Sequence, residues 1–245
     1  MPSSRFSVLT VALAIFAVAL LGIASWGTGA GTWPFRTGFT LLRWAAILGL
    51  AVAAAALVQL VVPRWRLSVP LLLLALLLGV AAFVTPFRWM RLARVVPPIH
   101  DITTDTADPP AFATVLPLRA SAPNSAEYGG PEIAAQQRAA YPDLGPVDLA
   151  APPADAFRRA LEAARGMGWQ IVAADSAAGR IEATATTRWF HFKDDVVIRI
   201  RPAAGGSRVD VRSVSRVGQS DVGTNARRIR SYLARLEPAA KARGN

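Results

Sequence analysis

Three stretches carry side chains able to do chemistry. The first, IHDITTD over 99–105, places His100, Asp101 and Asp105 within six residues. One imidazole and two carboxylates can ligate a divalent cation or work as an acid–base pair. In an extended segment the same residues more often add an edge strand or wrap a domain, with Asp and Thr making local turn bonds. The second stretch is WFHFKDD, over 189–195. Its aromatics could line a ligand pocket or dip into a headgroup layer, or could simply complete a core. Its carboxylates Asp194 and Asp195 could hold a cation, or pair with Arg180, Arg199 or Arg212. An enzyme built from this chain would use His100, Asp101 and Asp194, with or without a metal. The third stretch, RSVSRVGQSDVGTNARRI over 212–229, runs through a glycine-bearing loop into a helix. Free backbone N–H groups beside arginine make an anion site, with Arg212, Arg216, Ser220, Arg227 and Arg228 as its expected members. The competing reading is a plain helix cap by Ser220 or Asp221, and Asp221 would repel an anion there.

Several chemistries are excluded. There is no cysteine, so disulfides, thiolate nucleophiles, Cys-ligated zinc and iron–sulfur clusters are all absent. With only two histidines, His100 and His191, no multi-histidine metal site can form. No Gly-x-Ser-x-Gly elbow occurs, and the glycine-bearing loop lacks the lysine of a phosphate cradle. The expectation is no cofactor and no metal.

The elements that must position these residues divide sharply by composition. Of 245 residues, 53% are hydrophobic and 18% charged. Residues 1–94 contain eight Arg and no Asp or Glu, and all 16 acids lie beyond them. The net charge of +11 is therefore mostly arginine flanking apolar segments, which argues against nucleic-acid binding. Three apolar runs, about Phe6–Ala24, Phe39–Val62 and Leu67–Phe87, each reach the ~20 residues needed to cross a bilayer as a helix. Tryptophans 26, 33, 44, 65 and 89 lie near their ends, as an aromatic belt requires. Pro63-Arg64-Trp65-Arg66 should join the second and third runs as a tight hairpin. No Asp, Glu, Lys or His lies in a span, which disfavours transport and favours an anchor. The first run also has features of a signal peptide, but its length and the two further spans favour a retained anchor.

Residues 95–150 read as a Pro-rich extended linker or wrapping segment, with a short helix over Pro131–Ala140. Helical spacing appears in DAFRRALEAARGMGW, where Phe157, Ala160, Leu161 and Ala164 share a face and Asp155 is the expected N-cap. The period then changes to two in QIVAAD, GRIEATATT, DDVVIRIRP and SRVDVRSVSR, joined by short glycine-bearing connections. Val196, Ile198 and Ile200 share one face, opposite Val197, Arg199 and Arg201. A last helix, about Val222–Leu236, should bury Ile229, Leu233 and Leu236. The fold expected is three transmembrane helices followed by a small α+β domain: helix, four-strand antiparallel meander covered on one side, helix. Its divisions are 1–94 membrane anchor, 95–150 linker or wrapping segment, 151–238 α+β domain and 239–245 tail.

The stretches IHDITTD, PPAF at 109–112, GRIEAT at 179–184, WFHFKDDVVIRI and RSVSRVGQSDVGTNARRI together resemble domain-of-unknown-function family 1499 of bacterial membrane-attached and exported proteins. His191 departs from the glycine expected between the two Phe residues. The resemblance implies an envelope location and supplies no activity. The arginine count is five against three, and it puts the C-terminal part in the cytoplasm by a narrow margin. The resemblance to exported proteins favours the periplasm, which is the expectation adopted, with the chain in the bacterial inner membrane. The expected role is a membrane-anchored envelope protein whose α+β domain binds a ligand or partner. Its expected partners are the bilayer, with anionic lipid or a membrane protein as further candidates.

Overall fold

A computed structural model describes residues 2–62 and 68–236, with the side chains of 2–4 outside the description. The expected 63–66 turn and the 239–245 tail lie outside the described residues. The chain divides into two compact units: residues 1–94 with 188–191, and residues 95–187 with 192–245.

The first unit is helical: α1 (Pro2–Gly29), α2 (Phe35–Val61) and α3 (Val69–Val95). All three are long and apolar enough to cross a membrane, and each is longer than the run expected for it. Pro86 lies inside α3. Small residues let the backbones approach, as in membrane bundles. Ala14, Val52, Ala56 and Ala75 form one contact layer, and Ala17, Leu21, Ala45 and Ala82 another. Where α2 meets α3, a Cβ on Gly79 would sit 2.7 Å from the Gly49 carbonyl oxygen. Gly79→Leu should therefore force the helices apart and cost about 1–3 kcal/mol of bundle stability. Denaturation of the full chain by increasing detergent strength measures this. An unchanged midpoint would mean that the close approach carries no stability.

One polar knot was not foreseen. Gln59 is fully buried; it accepts from Ser7 Oγ at 2.8 Å and donates to Thr10 Oγ1 at 2.7 Å and Ala55 O at 3.2 Å. An unsatisfied amide in hydrocarbon costs several kcal/mol, so this side chain fastens α1 to α2.

The second unit begins with β1 (Asp101–Thr103), a 3-10 turn (Leu116–Arg119), α4 (Gly130–Ala140) and β2 (Val147–Leu149). It continues with α5 (Pro153–Gly166), β3 (Gln170–Asp175), β4 (Arg180–Thr186), β5 (Lys193–Ala203), β6 (Gly206–Ser215) and α6 (Thr224–Leu236). The meander β3-β4-β5-β6 is antiparallel and sequential, as the periodicity requires. Two short strands from the 95–150 segment, β1 and β2, add to β6 and make six strands, with IHDITTD adding a strand to the sheet as one of its expected readings has it.

Helices α5 and α6 cover one sheet face. Val196, Ile198, Ile200, Val209 and Val211 pack there with Ala156, Phe157, Ala160, Ala164, Ile229 and Leu236. Two details differ from the expected stripes. Tyr232, not Leu233, is the buried residue in the middle of α6. Its ring stacks on Trp169 and its hydroxyl donates to Ala160 O at 3.0 Å, which satisfies the one polar atom it buries. The N-cap of α5 is Pro152 rather than Asp155, and Asp155 pairs with Arg158 in the first turn. The largest difference is on the other sheet face. It is not open to water: the 105–128 segment lies over it, with Phe112 and Val115 packed on Val197 and Val214.

Candidate functional site

Strand alternation decides which candidates can meet. Residues 210, 212 and 214 of β6 point toward the wrapping segment, and 209, 211, 213 and 215 toward the helices. Asp101 and Asp195 both stand opposite Val214, so they share the wrapping face. Asp194 stands opposite Ser215, on the helix face.

On the wrapping face four buried carboxylates are each met by named donors. Asp101 takes a bidentate pair from Arg212, at 2.9 and 2.7 Å. Arg212 also donates to Pro110 O and Ala126 O and lies over the rings of Phe112 and Tyr128. Burial pushes the Tyr128 hydroxyl up to about 12, with the Asp101 charge adding to the effect. Asp195 is fully buried and accepts from Arg119 at 2.6 Å, from Arg216 at 2.8 Å on each oxygen, and from Thr184 at 2.7 Å. Burial alone would raise its pKa, but the bonds from Arg216, Thr184 and Arg119 outweigh that and hold the carboxyl below 3.8. Glu182 accepts three backbone N–H groups, from Ala113, Thr114 and Val115, at 3.0, 3.1 and 2.8 Å. Asp210 accepts from Arg199 and Arg201, which also bind Asp105 and Asp108.

On the helix face Asp194 pairs with Arg228, which also donates to Ser213 Oγ and Asn225 Oδ1. The partners of Asp194 and Asp195 are thus Arg228, Arg119 and Arg216, not Arg180, Arg199 or Arg212. Asn225 donates to His100 O at 2.9 Å and to Ser215 Oγ at 3.0 Å. The His100 ring lies 3.3 Å from Gln219 O through Nδ1.

The loop before α6 is a self-capped turn. Asp221 accepts from the backbone N–H groups of Gly223 and Asn225, and Ser220 Oγ from that of Val222. Val222, a β-branched residue, is held at φ 53 to let Asp221 reach both. Burial raises the Asp221 pKa, the two backbone bonds oppose the rise, and the nearby Asp194 charge adds to it. Arg227 is exposed and donates to Val222 O and Thr224 Oγ1.

The expected constellations therefore come apart. Asp101 and Asp194 lie on opposite faces of the sheet, so His100, Asp101 and Asp194 do not line one pocket. Of the expected anion-site residues, Arg212, Arg216 and Arg228 hold internal carboxylates, Ser220 caps, and Asp221 occupies the helix N-terminus. Arg227 is the member that stays exposed. Among the described residues no group of three His, Asp or Glu is placed to hold a metal ion.

Two key residues, Arg119 and Asn124, left no signal in the sequence. Arg119 sits in a Pro- and Ala-rich stretch that shows no periodicity. Asn124 donates to Ser215 O and Gly218 O from the same stretch. Glu182 did leave a signal, as the one acid inside the strand RIEATAT.

The architecture defines a class: apolar helices of membrane-crossing length followed by an α+β domain whose charged sheet face is sealed by its own N-terminal segment. Within that class, residues 101–236 match the family described as protein of unknown function DUF1499, and the chain belongs to that family. The match starts at β1 and ends at the last residue of α6, so it includes the wrapping segment with the domain. No curated protein matches the chain.

Proposed function

We propose that this protein is a membrane-anchored module of the bacterial envelope whose α+β domain works by binding an anionic ligand at the membrane, with lipid headgroups as the favoured ligand. The reading is supported above all by how the charges are spent. The buried carboxylates and guanidiniums are committed to one another, in positions that fasten the 105–128 segment to the sheet. The bases Arg165, Lys193, Arg227 and Arg235 stay exposed and enter none of those buried pairs, although acids such as Glu127, Glu132 and Glu162 are exposed as well. Each basic side chain near an anionic surface contributes about 1 kcal/mol.

Extraction of the full chain in native-lipid discs, followed by lipid mass spectrometry, tests this. Anionic phospholipid should be enriched over the surrounding membrane, and less so in a Lys193→Gln, Arg227→Gln double variant. An annulus of bulk composition overturns it.

The periplasmic side is part of the same proposal. Alkaline phosphatase fused after Asn245 should be active, and green fluorescent protein there should be dark. The reverse pattern puts the domain in the cytoplasm.

A further inference from the structure

The most expensive groups in the second unit converge on one loop. Glu182 caps the N–H groups of 113–115, and Arg119 reaches from the 3-10 turn to Asp195. Arg119 also donates to Asn124 O and Ser125 O, which closes the loop on itself. Arg216 donates to Leu118 O at 2.9 Å. Buried charges are costly to desolvate, and here they fix a short turn from beneath. That turn then exposes carbon: Leu116 is 44% and Leu118 52% exposed, with Pro117 exposed between them. Among the described residues of this unit, Val95 is the only other large apolar side chain so exposed.

The place of the turn matters. One end of the sheet gathers the start of β1, the start of β5 and the end of β6. The turn lies at that end, on Asp195 and Arg216. The chain arriving from α3 enters the unit at the same end, where Ser215 N–H donates to His100 O. Only residues 96–100 separate α3 from β1, a tether of at most about 20 Å when extended. Lys193, exposed, begins β5 there. Two leucines on a rigid turn, with the exposed Lys193 at the same end of the sheet, where the chain enters the unit, have the chemistry of an interfacial contact.

We propose that the Leu116–Leu118 turn is a bilayer-contacting knob, whose two leucines enter the headgroup–acyl boundary of a membrane containing anionic lipid. It rests on the proposed role at the membrane and specifies the element that makes the contact.

The chain has no cysteine, so Leu118→Cys supplies a single thiol for an environment-sensitive fluorophore. The side chain it replaces is exposed, so the fold is not at risk. Ser176→Cys, in the turn at the opposite end of the sheet, is the reference. The full chain is reconstituted in phosphatidylcholine–phosphatidylglycerol vesicles, with and without nitroxide-bearing lipid. The probe at 118 should emit to the blue of the probe at 176 and be quenched at least twofold more by the nitroxide. Equal emission and equal quenching at the two sites overturn the knob. A blue-shifted probe at 118 that lipid nitroxide does not quench marks a protein contact, and also overturns it. Lipid enrichment in native discs with an aqueous probe at 118 leaves the anionic-ligand reading standing and removes only the knob.

Discussion

Asp195→Ala should destabilise the α+β unit by about 3–5 kcal/mol, because it removes the shared counter-charge of two guanidiniums. The Arg119 side chain is 3% exposed and that of Arg216 16%, so neither can turn fully to water without lifting the 116–119 turn. A domain of ordinary stability holds 5–15 kcal/mol, so the loss takes a large share of it. Hydrogen exchange of the β5 and β6 amides in the full chain measures it. Asp148→Ala is the control, since the Asp148–Arg208 pair is exposed on both sides and its loss should leave exchange nearly unchanged. Comparable loss in both variants would mean that burial does not decide the strength of the pair.

The same carboxyl sets an acid response. Its pKa in the folded protein lies below 3.8, so it contributes stability above that value, and the contribution fades as pH falls through the folded pKa. Asp195→Asn should therefore be less stable at neutral pH but show a shallower decline below about pH 4. Parallel pH curves for the two proteins would assign the acid response to other groups.

Glu182→Ala is the second large effect expected, about 3 kcal/mol. It orphans the buried N–H of Val115 and the part-buried N–H groups of Ala113 and Thr114, and it removes the carboxylate paired with Arg180. An unsatisfied buried donor costs about 1–3 kcal/mol, less whatever water entry restores. Glu182→Gln keeps the shape but turns an NH2 toward donors, so it should fall between wild type and Ala. The local signature is faster exchange across 112–119, ahead of any change in α5 or α6. Uniform acceleration through the unit would show that the carboxylate supports the whole core and not that loop.

These effects depend on residues that the linear pattern shows unequally. Apolar periodicity made the meander legible: Val196, Ile198 and Ile200 lie on the face assigned to them because side chains alternate along any strand. The helices α5 and α6 were legible for the same reason. Their registers were not fully so, since Tyr232 and Leu233 are both apolar enough to fill a stripe. The carbonyl of Ala160 and the ring of Trp169, both offered from outside α6, go with the tyrosine.

Alternation alone leaves the polar side of the strands to water, and the structure seals it under the 105–128 segment. A charged residue alternating with valine looks the same whether it meets water or a guanidinium from a hundred residues away. Asp101 and Arg212, Arg119 and Asp195, and Glu182 and the 113–115 backbone are pairings across long loops that no local spacing encodes.

By itself, then, the sequence determined the class of the apolar spans, of the meander and of the two helices that cover it. A stretch of 94 residues without an acid must satisfy its backbone in helices when it enters hydrocarbon, and alternating valines must form strands with one apolar face. The tertiary structure alone decided what the charges are for. Coulomb attraction and desolvation depend on distance and burial, not on order along the chain. Folding brought the 105–128 segment over the sheet, turned the residues expected to act on ligands into the fastening of a loop, and left two leucines of that loop facing outward.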